Sequence, residues 1–136
     1  MVSSYIICNM MSQDQKANEY WIFDQKCKKI LQEPEIRFAG VINKLGRLVA
    51  GGFKEGLKPL EDDAERQKMY MELALRVSMR KDFDYSLGAV KYSASRREKA
   101  VVMSFPMDSN ILLISAEPDS HIEETANKIM KLVGLI

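Results

Sequence analysis

The sequence predicts an α/β (α+β) fold, with a central five-stranded antiparallel sheet covered by helices in the order α-β-β-α-β-β-β-α. Two observations carry this expectation. Short runs rich in branched residues follow one another across polar, turn-like connections, and strands joined by successive hairpins pair antiparallel. Segments with apolar residues at three- and four-residue spacing stand near the start, in the middle and at the end of the chain, and such helices bury their apolar stripe against a sheet.

A chain of 136 residues is long enough for one sizeable core. The expected organisation is a flexible tail over residues 1–16 followed by a single domain over 17–136. Apolar residues make up 46% and charged residues 29%, the balance of a globular chain rather than a disordered one. Twenty Lys and Arg stand against 19 Asp and Glu. That near-cancellation gives no reason to expect general nucleic-acid or anionic-membrane binding. Cys8 and Cys27 lack CxxC spacing and are too few for a metal cluster. The reading is two reduced, partly buried thiols in a cytoplasmic chain, with a Cys8–Cys27 disulfide left open. The apolar run Tyr5–Cys8 has no basic segment before it and is too brief for a signal peptide. No other run approaches the roughly 18 apolar residues of a membrane span.

The first helix is expected over Asn18–Gln32, where Tyr20, Phe23, Cys27, Ile30 and Leu31 share a face. Pro34 stops it, since proline disfavours a helical residue before it. Strands follow over Ile36–Asn43 and Leu48–Phe53. Five of the seven glycines fall between Phe38 and Gly56, so this stretch needs a test as a phosphate-binding loop. It fails: Gly46 is followed by Arg47-Leu48 and Gly51-Gly52 by Phe53-Lys54, neither supplying Lys with Ser or Thr, and G-x-G-x-x-G is absent. Gly46 suits a hairpin turn at positive φ. Gly40, Gly51 and Gly52 inside strands indicate a bulge or a close backbone approach. The stretch is a hairpin.

A second helix starts near Leu60, with Glu61, Asp62 and Asp63 at the positive end of its dipole. Its later half is apolar around most of its circumference: Met69, Tyr70, Met71, Leu73, Ala74, Leu75, Val77 and Met79. Such a helix is expected to have two buried faces, one on the sheet and one on something else. Strands are then expected over Tyr85–Ser93, Lys99–Phe105 and Asn110–Ala116, joined by "SASRRE" and "PMDSN". In the last helix Ser120 and Glu123 match a capping box, and Ile122, Ala126, Ile129, Met130 and Val133 make a narrow stripe.

No catalytic constellation emerges, and no cofactor is expected. His121 is the only histidine, so multi-histidine metal sites and histidine triads are excluded, and it reads as a surface residue. Glu61, Asp62 and Asp63 are better explained as helix-start charges than as a catalytic carboxylate pair. Arg96, Arg97 and Lys99, with Arg80 and Lys81 nearby, form the one distinct charge feature, and arginine forks suit carboxylate or phosphate partners. Trp21 and nine methionines are the material of an adaptable binding surface or of packing between subunits.

This element order, and above all the strand-turn-strand "IRFAGVINKLGRLVAGGF", resembles the Roadblock/LC7 family within the profilin-like group, from about Asn18 to Ile136. The resemblance implies a non-enzymatic dimer that scaffolds or regulates a small GTPase or related partner. It also implies dimerisation through the second helix and third strand. The expected interface residues are therefore Met69, Met71, Leu73, Leu75, Val77, Met79 and Leu87, and the expected partner-binding residues are Arg96, Arg97 and Lys99. "SRREK" departs from any motif of that family. The alternative is a small-molecule-sensing profilin-like domain with a pocket near Gly40, Gly51 and Gly52.

Overall fold

The computed structural model describes residues 13–135. Cys8 and the Tyr5–Cys8 run lie outside the described residues. Helix α1 spans Gln13–Leu31, strands β1 and β2 span Ile36–Asn43 and Leu48–Phe53, and helix α2 spans Asp63–Arg80. A 3₁₀ turn at Lys81–Phe83 leads into the one-turn helix α3, Asp84–Leu87. Strands β3 (Ser93–Arg96), β4 (Val101–Met107) and β5 (Asn110–Ala116) precede helix α4 (Ile122–Val133). The five strands lie in the order β2-β1-β5-β4-β3, and every neighbouring pair is antiparallel.

Strand alternation divides the apolar residues between two cores. On one face, α1 and α4 lie side by side. Cys27 and Ile30 of α1 and Ala126, Ile129 and Val133 of α4 pack with Val41, Met103, Phe105 and Ile114. On the other face α2 stands alone, placing Tyr70, Leu73, Ala74 and Val77 against Phe38, Ile42, Ile111 and Leu113. The first layer is fastened at its ends by lysines. Lys128 of α4 reaches Glu33 and Glu35 in the α1–β1 loop, and Lys26 of α1 donates to the Val133 carbonyl at the end of α4. Burial alone would raise the Glu35 pKa, but the hydrogen bond and charge of Lys128 outweigh it and hold the carboxyl below its usual range.

The glycine-rich segment forms the β1–β2 hairpin. Asn43 accepts the backbone N–H of Leu45 and of Arg47 on its side chain, an Asx arrangement that closes the turn locally, and Gly46 follows at φ +77°. Register shifts between Val41 and Ile42, where Ala50 and Leu48 pair in turn and Val49 is left as the extra residue. Gly51 has φ +82°, and a Cβ there would sit 2.1 Å from the Ala39 carbonyl oxygen and 2.9 Å from Cys27 Sγ. Its N–H is accepted by the Asp24 carboxylate of α1 at 3.0 Å. This glycine lets α1 settle onto the sheet edge, and the Asp24 bond occupies an edge donor that a foreign strand would otherwise use.

Three expectations need correction. Residues 85–93 are not a strand: the helical path of α2 continues through Leu87 and ends where Gly88, at φ +81°, donates to the Asp84 carbonyl. The alternation of Phe83, Tyr85 and Leu87 resembles strand periodicity, yet all three are exposed. "SASR" is a strand rather than a connection. The capping box does not form. His121 is the N-cap residue and makes no side-chain cap bond, the Ser120 hydroxyl is buried without a partner, and the Glu123 carboxylate instead accepts the Tyr92 hydroxyl. The physical reason is a turn from Glu117 to Ser120 that directs the serine side chain inward.

Gly51→Ala is expected to lower the unfolding free energy by about 2 kcal/mol or more, from positive φ combined with a backbone clash. Gly52→Ala, where the added Cβ meets nothing within 4 Å, is expected to stay within about 0.5 kcal/mol of the parent or to stabilise it. Urea denaturation of the two variants checks the contrast.

Candidate functional site

The start of α2 explains the acidic trio. Asp62 caps the helix by accepting the Glu65 N–H at 2.8 Å, and Arg66 pairs with both Glu61 and Asp63. Arg66 also lies over the Phe53 ring, 5.1 Å from its centroid. These carboxylates are engaged in fixing the helix end. His121 is exposed, and among the described residues no group of three or more His, Cys, Asp or Glu is placed to hold a metal ion.

From Phe53 at the end of β2, α2 passes over Phe38 of β1, where Tyr70 stacks. Its end reaches β3, where Arg80 donates to the Ser93 hydroxyl at 2.6 Å. The helix therefore crosses the sheet diagonally. The expected interface residues divide around it. Leu73 and Val77, 6% and 7% exposed, are consumed by the chain's own core and leave the interface set. Met71, Leu75 and Met79, spaced four residues apart, form an outward row in which Leu75 is 64% exposed. Met69 lies on the opposite flank, at the edge of exposure. Leu87 sits in α3 rather than in a strand and is 82% exposed. Phe83 and Leu45 are also exposed; Phe83 extends the α2 row by another four residues, and Leu45 lies in the turn that touches the Met71 backbone at Gly46. The same spacing rule would have found Phe83 had the helix been followed past Arg80. Trp21 is exposed on α1, in the other layer.

The diagonal path leaves a broad groove between α2 and the β3–β4 hairpin, about 1160 Å³ in volume. The basic trio borders it unequally. Arg96 donates to the Pro118 and Ser120 carbonyls at 2.6 and 2.8 Å, holding the loop before α4. Arg97 and Lys99 are exposed at the groove rim. Tyr70 lines the groove from α2. Burial pushes its pKa up to about 12, with Arg66 opposing and Glu61 adding to the shift. On the opposite face burial, reinforced by Asp24, pushes the Cys27 thiol up to about 12.

This architecture is a Roadblock/LC7-like, profilin-like fold. The chain is similar to MglB of Myxococcus xanthus (TM-score 0.66, 11% identity, covering 92% of this chain and 88% of that one). It is similar to the Roadblock/LC7 domain from Streptomyces avermitilis (TM-score 0.62, 14% identity, 82% and 92% covered). It also resembles profilin from Schizosaccharomyces pombe (TM-score 0.57, 14% identity, 83% and 98% covered). By sequence, the chain belongs to DUF6659, described as a family of unknown function, which matches residues 16–135. Comparison with curated proteins finds no match. No helix among the described residues is long and apolar enough to cross a membrane.

The two raised pKa values give an alkaline signature. The ordinary values are 9.0 for Cys27 and 10.0 for Tyr70, so from there up to about 12 the unfolded chain loses protons that the folded chain keeps. Stability is therefore full below about pH 9 and falls as pH rises from there to about 12, by about 1.4 kcal/mol for each unit by which either pKa is raised. Tyr70→Phe is expected to flatten the part of the decline above about pH 10, measured by urea denaturation across the pH series.

Proposed function

We propose that this chain is a non-enzymatic homodimer that scaffolds or regulates a small GTPase or related protein partner. The observation that carries the reading is the outward row Met71, Leu75 and Met79, extended by Phe83 and Leu87. A helix that has already buried Tyr70, Leu73, Ala74 and Val77 has no intramolecular use for a second apolar face. Exposed apolar rows of this extent mark surfaces for another chain. Methionines suit such a surface because their flexible thioethers fill irregular gaps.

The free edge of β3 adds to the reading. Its pairing on one side is with β4, and among the described strands nothing lies beyond it. At the other edge, Asp24 already occupies the Gly51 N–H. A second copy thus has an open strand and an adjacent apolar helix at the same side of the molecule. The Roadblock/LC7 likeness supports the same pair of elements and is the source of the GTPase assignment.

Light scattering is expected to give a dimer mass for the parent and a monomer mass for Leu75→Asp, with unchanged far-ultraviolet circular dichroism in the variant. Leu73→Asp, which would bury a charge in the protomer core, is expected to unfold. A monomeric parent would contradict the dimer. Capture experiments with GTP- and GDP-loaded small GTPases test the partner class, and the absence of any nucleotide-dependent capture would remove it.

A further inference from the structure

The groove beside α2 differs in chemistry from the helix's outward row. Cross-strand register shows how. One line across the sheet runs Ser95, Val102, Ser115, Phe38 and Phe53, and the next runs Ser93, Ser104, Leu113 and Gly40. Paired residues share a face, so both lines lie on the side that α2 covers. Beneath the helix they are Phe38 and Leu113; beyond it they become four serines around Val102. Ser104 is only 5% exposed.

The rim is basic. Eight cationic side chains line the groove against four carboxylates, in a chain whose net charge is +1. Arg66 and Arg76 are neutralised by Glu61 and Glu72. Arg97, Lys99 and Lys68 have no carboxylate partner among the described residues, and Arg80 meets only the Ser93 hydroxyl.

We propose that this groove docks an acidic segment of a partner protein, whose carboxylates meet Arg97, Lys99 and Arg80 over the serine floor. Size favours a protein segment over a small ligand, because pockets for single drug-sized molecules fall at about 300–1,000 Å³ and this groove is larger. The four interspersed carboxylates and the near-neutral chain disfavour a uniformly charged nucleic acid. The inference stands apart from the dimer, which uses the outward row of α2 and the free backbone edge of β3 rather than the side chains that line the groove.

The test is fluorescence anisotropy at low ionic strength with a labelled decaglutamate peptide. Saturable binding is expected, one peptide per chain. Arg97→Glu combined with Lys99→Glu is expected to weaken it about tenfold, as two exposed attractions become repulsions. Ser95→Asp, which places a carboxylate in the groove, is expected to weaken it as well. Lys16→Glu combined with Lys29→Glu changes the charge equally on exposed positions of α1 and is expected to leave affinity within about twofold. Equal loss in both double variants, or no binding by the parent, would overturn the proposal. So would tighter binding of a ten-residue oligothymidylate than of decaglutamate. Light scattering separates this from the dimer reading: Arg97→Glu with Lys99→Glu is expected to keep the parent's mass. A changed mass would assign the groove to a second copy and overturn the acidic-segment assignment, whereas a monomeric parent that still binds the peptide would overturn only the dimer.

Discussion

Everything distinctive about this domain follows from the unequal covering of one sheet. Five strands about 4.8 Å apart make a surface roughly 20 Å wide, and a helix with its side chains covers about 10 Å. Two helices, α1 and α4, match one face. The other face receives α2 alone, and no placement of one helix can cover it. The diagonal path of α2 from Phe53 to Ser93 spreads the shelter over β1 and β5, the strands nearest the centre, and leaves the β3–β4 corner open.

The chain's side chains register that geometry. Where α2 covers the sheet, Phe38, Ile42, Ile111 and Leu113 are buried. Where it does not, the corresponding positions are Ser93, Ser95, Ser104 and Ser115, so the open corner does not become an apolar patch prone to nonspecific association. The apolar surplus is placed instead on the outer side of α2, as a narrow row. That separation of an apolar row from a polar, basic groove is why two different kinds of contact are proposed for one helix.

Much of the architecture was legible in the sequence. Strands Ile36–Asn43, Leu48–Phe53 and Asn110–Ala116 match their expected bounds, because they are interior or hairpin strands whose branched residues end at clear turn residues. The stripe of α4 was equally plain. Strand β3 was missed because an edge strand exposed on both faces has no apolar pattern to display, and "SASR" reads as a loop. Phe83, Tyr85 and Leu87 misled for the converse reason: their alternation has strand periodicity, but Gly88 at positive φ terminates a helical turn there. In α2 the surplus of apolar residues concealed the phase, so Leu73 and Val77, which are buried, could not be separated from Leu75 and Met79, which are exposed. The serine floor was invisible, since it exists only once the register of three strands is known.

The central claim is that the outward row of α2 and the edge of β3 meet a second chain. Hydrogen–deuterium exchange followed by mass spectrometry over a dilution series tests it most directly, because burial at an interface slows exchange only while the complex persists. The account predicts that protection over residues 69–83 and 93–96 falls on dilution, while β1 and β5 remain protected at every concentration. Exchange over residues 69–83 that is independent of concentration would contradict it.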